Sequence, residues 1–271
     1  YCMIIDFHTH IFPDALAPRV IPNLTHIISE NPSMNGTING LVESMRTSHI
    51  DLSIVLPVVT KPKQFRSITQ FALEVNERFE HTKGPRLLSF AGIHPDTSDY
   101  MGELNTIKEL GFKGIKLHPD DQKTLIDDIR YKRIISRACE LGLIITIHSG
   151  YDCSSPCPVH AAPRILARML DDVRPQKVIL AHMGGNIFYD EVERTLIGRD
   201  VYLDTAFTLR HIESDQMLRM IRNHSPKKVL FGSDAPWTDQ KKDLRTFQEL
   251  ELTPMEREDI LYRNGRHLLN I

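Results

Sequence analysis

Cysteine, tryptophan and long apolar runs are scarce in this chain, and each scarcity excludes a class of protein. The 271 residues include four cysteines, Cys2, Cys139, Cys153 and Cys157, and a single tryptophan, Trp237. Four cysteines over this length do not make a disulfide scaffold and fit a reducing, cytoplasmic compartment. Cys153 and Cys157, in "YDCSSPCPVH", lack the second pair that a zinc ribbon needs and read as loop thiols. The longest apolar runs, such as "LGLIITI", are strand-sized, well short of the ~20 residues of a membrane-crossing helix. No signal-peptide pattern opens the sequence. Net charge is −2, with no basic stripe for nucleic acid and no basic amphipathic helix for a membrane surface. The Gly-rich first turn of a doubly wound dinucleotide fold is missing too.

What the chain does have is a repeated alternation. β-Branched runs fall at 3–10, 52–59, 87–95, 112–119, 143–150, 177–185, 201–207 and 228–237, about 30 residues apart, the length of a strand, a crossover helix and two loops. Helical periodicity fills the gaps. "KQFRSITQFALEVNERFEH" repeats apolar residues close to every 3.6 positions, and "YKRIISRACELG" ends on Gly142, a natural residue just past a helix end. Thr253 and Pro254 open a final helical pair as N-cap and first helical residue. Residues 11–36, rich in proline, read as a long, partly helical loop. Eight strand–helix units predict an α/β fold, a (β/α)₈ TIM barrel forming a single domain over 1–271.

In such a barrel the chemistry sits at the C-terminal ends of the strands. Six of the thirteen histidines fall on those ends: His8, His10, His94, His118, His148 and His182. Lys116 and Asp234 join them. Residues two apart on a strand share a face, so His8 and His10 in "DFHTH" aim two imidazoles at one point. Neutral imidazole is the commonest metal ligand. His148 and Asp234 rank next as ligands; three nitrogens and a carboxylate around one divalent ion leave room for water, as in a catalytic site. His182 either binds a second ion or stays free as an acid or base. Lys116 is a carboxylated bridge between metals, an anion grip or an internal ion pair. His118, His94 and Arg210 are further candidate substrate contacts, and Trp237 a candidate pocket wall.

"DFHTH", "IHSG", "AHMGGN" and "FGSDAPW" together resemble the amidohydrolase superfamily. More narrowly, with "GFKGIKLHP" and "ILYRNGRHLL", the chain is similar to the amidohydrolase-related branch that includes aminocarboxymuconate-semialdehyde decarboxylase-like enzymes. The resemblance implies one divalent ion held by His8, His10, His148 and Asp234, with His182 and Asp234 catalytic. Zinc is the first expectation, with manganese and iron also suited to this donor set. Zinc lowers the pKa of its water to about 7; the chain is compact, with little extra sequence for an elaborate aromatic pocket, so the favoured expectation is hydrolysis of a small lactone, amide or ester by metal-activated water. The alternative is decarboxylation of an unsaturated or aromatic acid, and a third reading is a barrel that binds metal or ligand without catalysis. The expected partner is a small-molecule substrate, with a homodimer as the default assembly.

Overall fold

The structure, a computed structural model, describes residues 3–28, 31–155 and 157–271. The strands described are β1 (Ile5–Thr9), β2 (Leu52–Val55), β3 (Arg86–Ser89), β4 (Ala91–Gly92), β5 (Gly114–Leu117), β6 (Ile144–Ile147), β7 (Val178–Leu180), β8 (Tyr202–Asp204) and β9 (Val229–Leu230). Each run anticipated from sequence contains a strand. The run at 87–95 contains two, β3 and β4, parted at Phe90. There Ser89 Oγ donates to the Phe90 carbonyl at 2.9 Å and takes an acceptor that a continuous ladder would use.

The helical segments follow their periodicity. Phe65–Phe79 buries Thr69, Ala72, Val75 and Phe79 along one stripe. Ile129–Glu140 starts where the Asp128 carboxylate accepts from the Arg130 N–H at 2.8 Å, and ends before Gly142, which takes the left-handed φ of +70°. Thr253 and Glu256 cap each other reciprocally ahead of Pro254–Glu258. Within the long first connection, Ala17–Ile28 is helical. Among the described residues no helix is long and apolar enough to cross a membrane.

The chain divides into two compact units: residues 1–55, 75–88 and 204–271, and residues 56–74 and 89–203. In the first, β1 runs parallel to β2, pairing Ile5 with Leu52 and Asp6 with Ser53. The other side of β1 is zipped to the segment after β9. Phe7 N donates to Phe231 O at 2.8 Å, Asp234 N to His8 O at 2.8 Å and His10 N to Ala235 O at 2.7 Å. Chain ends 226 residues apart are thus fixed side by side. Asn264 Nδ2 donates to the Pro226 and Val229 carbonyls at 2.8 and 2.7 Å, tying the last helix to β9.

In the second unit β4, β5, β6, β7 and β8 lie parallel in that order. Gly92 pairs with Lys116, Lys116 with Thr146 and Thr146 with Ile179. Ile115, Leu117, Ile145, Ile147, Ile179 and Leu180 are buried, as expected for parallel strands covered on both faces. Gln122 braces the loops above them. Its Nε2 donates to the Val59 and Ile93 carbonyls at 2.8 Å each, while its Oε1 accepts from Tyr131 Oη at 2.6 Å.

Candidate metal centre

The zipper between β1 and the segment after β9 determines what meets in the first unit. Asp6 is fully buried and accepts from Ser233 N at 2.9 Å, Ser233 Oγ at 2.5 Å and Gln240 Nε2 at 2.8 Å. Burial pushes its carboxyl up to about 6 even against these hydrogen bonds. Asp6 thereby clamps the turn that carries Asp234, whose own φ is +81°. One oxygen of Asp234, Oδ1, then lies 3.1 Å from His10 Nε2 and 3.4 Å from His8 Nε2. The two imidazoles meet edge to face, with centroids 5.1 Å apart at 68°. Three of the four anticipated ligands therefore come together within one unit.

A group that the sequence reading missed orients them. Asp204, at the end of β8, places Oδ2 2.9 Å from His8 Nδ1, and both side chains are buried. With the Nδ1–H donated to Asp204, the His8 lone pair sits on Nε2, facing Asp234. A carboxylate that fixes the tautomer in this way commonly stands behind a metal-bound histidine. One ligand atom from each of His8, His10 and Asp234 lies within 4.8 Å of the others. Two nitrogens and a carboxylate oxygen suit zinc, manganese or iron. Nothing local marked Asp204: it is a lone acid after "YL", and its partner is 196 residues away.

The second unit gathers His118, His148, His182 and Asp152. His148 Nδ1 lies 3.1 Å from His182 Nε2. The His118 and His148 rings stack, 4.1 Å apart and 15° from parallel. Asp152 Oδ2 lies 3.4 Å from His118 Nε2 and 3.8 Å from His148 Nε2. Burial acts to raise the Asp152 carboxyl, but His118, the Ser154 hydrogen bonds and His182 outweigh it, and the group is held below its ordinary value. The turn bearing His182 is tight, with positive φ at His182, Met183 and Gly184.

The remaining expected contacts have varied settings. Lys116 is buried in β5. His94 is buried, and its Nδ1 accepts from the Asp96 N–H at 3.0 Å; desolvation lowers its pKa, partly opposed by Asp96. Trp237 is buried in the first unit, and its N–H donates to the Asp234 carbonyl at 2.9 Å. Arg210 is exposed, within electrostatic reach of Asp243. His160 is buried against Asp120, with Nδ1 3.0 Å from Oδ1. Cys139, Cys153 and Cys157 form no disulfide among the described residues, and Cys2 lies outside them.

Parallel strands that deliver imidazoles and a carboxylate to their C-terminal ends define a metal-dependent α/β enzyme. Residues 5–271 match the amidohydrolase family model, and the chain belongs to that family. No curated protein matches it in sequence. Solved structures do match. A 5-carboxyvanillate decarboxylase from Sphingomonas paucimobilis aligns with a TM-score of 0.78 at 12% identity, covering 100% of both chains. A 2,6-dihydroxybenzoate decarboxylase from Rhizobium aligns at 0.73 and 14% identity, over 100% of this chain and 99% of its own. A 5-carboxyvanillate decarboxylase from Novosphingobium aromaticivorans, complexed with manganese and 4-hydroxy-3-methoxy-5-nitrobenzoic acid, aligns at 0.74 and 12%, over 100% and 96%. At such identities the likeness is one of fold: a parallel α/β chain of the (β/α)₈ TIM-barrel type.

Proposed function

We propose that the protein is a metal-dependent carboxy-lyase that removes carbon dioxide from an aromatic or unsaturated acid. One observation carries the choice of chemistry: the full-length structural relatives described above are decarboxylases of aromatic acids. The preference for hydrolysis drawn from sequence rested on the chain's modest length and has no comparable support.

The proposed ion is held by Nε2 of His8, Nε2 of His10 and the Asp234 carboxylate, and manganese or zinc suits these donors. The motif pattern adds His148 as a further ligand and His182 as a second proton carrier; these two assignments rest on sequence. A bound divalent ion supplies concentrated positive charge that draws in an acid's oxygens. Asp234 takes up a proton from solvent and passes it to the carbon that bears the substrate's carboxylate, returning to the charged form. The bond from that carbon to the carboxylate then breaks, its electron pair stays with the ring, and carbon dioxide leaves. Asp204 keeps the His8 ring from turning while this happens.

The test is a substrate panel with metal-loaded protein: 2,6-dihydroxybenzoate and 5-carboxyvanillate on one side, simple lactones on the other. Carbon dioxide release with loss of the acid's ultraviolet band is the expected result. Acid liberated from lactones, with no carbon dioxide from any carboxylic acid, restores the hydrolase reading.

A further inference from the structure

The segments that lead into β2 and β3 enclose a cavity of about 520 Å³. It lies between the helix Ile38–Ser48 and the stretch from Arg78 to Pro85, wholly within the first unit. β2 runs parallel to β1, and that helix leads into the start of β2, whereas His10 follows the end of β1. The cavity is therefore at the opposite end of these strands from the proposed ion.

Its lining divides by chemistry. Val42, Phe79 and Pro85 are apolar, and each is buried or half-buried. Arg46, Arg78 and Lys83 are exposed cations, and Glu43 is the one acid beside them, so the lining carries an excess of two positive charges.

Cations in the last turn of a helix offset its dipole, and Arg46 and Arg78 lie in such turns. Arg78 nevertheless reaches away from its own helix. Its Nη2 donates to Asn39 Oδ1 at 3.2 Å, on the helix Ile38–Ser48, and its guanidinium carbon stands 5.5 Å from the centroid of the Phe79 ring. Both partners are neutral, so the fork is held in place while its charge stays uncompensated. Elsewhere the chain gives arginines acids at close range: Arg168 meets Asp127 at 2.8 Å and Arg199 meets Asp171 at 2.6 Å. Arg46 comes no nearer to Glu43 than 3.6 Å. Lys83 lies past the helix end and has no ion pair among the described residues.

We propose that this cavity is an accessory site, separate from the metal centre, for an organic anion with an apolar body, an aromatic carboxylate. Its size and mixed lining are those of small-molecule sites. Val42, Phe79 and Pro85 cover the ring. Arg78, pre-set by Asn39 and Phe79, grips the carboxylate with its remaining N–H donors, and Lys83 adds a point charge.

Calorimetric titration of the metal-loaded protein with 1-naphthoate tests this. 1-Naphthylmethanol supplies the same rings without the charge, and inorganic phosphate supplies charge without the rings. Arg78→Gln should weaken naphthoate about tenfold, the scale of one hydrogen bond to a charged group. Lys83→Gln should weaken it about threefold, the scale of an exposed ion pair, and Glu43→Gln should tighten it by about as much. Lys108→Gln removes an exposed charge outside the cavity and should change nothing. Naphthoate bound at the metal centre contributes alike to all five proteins. Unchanged affinity in Arg78→Gln, an equal loss in Lys108→Gln or for the alcohol, weakening in Glu43→Gln, or phosphate bound as tightly as naphthoate each overturns the proposal. None of these measurements depends on turnover, so carbon dioxide release decides the lyase reading separately.

Discussion

Asp204 Oδ2 stands 2.9 Å from His8 Nδ1, both side chains buried, and this one contact decides which nitrogen of His8 is available to an ion. Without it the ring could turn or change tautomer, and Nε2 would lose its fixed aim. Asp204→Ala should lower ion affinity by about 10–100-fold, the usual weight of a carboxylate behind a ligating histidine. Asp204→Asn, which can still accept the Nδ1–H, should lose less. Competition with a fluorescent chelator for manganese measures all three proteins, and equal affinities would remove Asp204 from the centre.

Asp234 is the carboxylate shared by both imidazoles, so its charge should matter more than its shape. Asp234→Asn should bind the ion weakly and lose turnover. The check that does not depend on turnover is thermal. A ligand that binds only the folded state at a hundred times its dissociation constant adds about 2.7 kcal/mol. The native protein should therefore melt higher when the ion is added, and Asp234→Asn should not. An equal rise in both would mean that the ion binds elsewhere.

Asp243, which is not itself a proposed ligand, gives a pH prediction. Burial pushes its carboxyl up to about 7, with Asp6 and Asp234 adding to the rise and Thr238 and Arg210 opposing it. In the unfolded chain an aspartate titrates near 3.9. The folded state holds this proton more tightly, so the stabilisation is complete below about pH 4, falls as the pH rises towards 7, and is gone above that. The gap is equivalent to about 4 kcal/mol at most. Asp243→Asn cannot titrate, so its urea midpoint should fall less than the native one between pH 5 and pH 8. Parallel midpoints across that range would show that Asp243 is not the group responsible.

The strands were legible because parallel strands buried on both faces are written as unbroken apolar runs, and helix ends were legible where Gly142 or Thr253 marked them. His8, His10 and Asp234 were legible because a polar residue that closes an apolar strand is conspicuous. Asp204 and Asp152 were not. Asp204 acts across 196 residues of chain, with no spacing to betray it. Asp152 lies in a loop where acids usually face water, and the rings it meets, His118 and His148, follow β5 and β6. The break at Phe90 was equally hidden, since it turns on a hydrogen bond from Ser89 and not on hydropathy.

Gly150 offers the sharpest test of how the second unit is built. Its φ is +88°, and a Cβ there would fall 2.1 Å from Asn186 N and 2.4 Å from Gly185 C, all backbone that has no rotamer to yield. Gly184 has a similar φ of +83°, but its nearest neighbours are the side chains of Leu203, Val192 and Leu196 at 3.2–3.5 Å. The left-handed conformation alone costs an alanine about 1–2 kcal/mol. Gly184→Ala should lose about that much. Gly150→Ala should lose the same strain plus a backbone collision, for a total above about 4 kcal/mol, the range reserved for severe lesions. Because Asn186 also holds Tyr151 through its carbonyl at 3.1 Å, the collision should pull the Asp152 loop from its seat as well. Denaturant unfolding of the two variants side by side measures the difference, and equal losses would mean that the crossing of Gly150 and Asn186 is looser than the structure draws it.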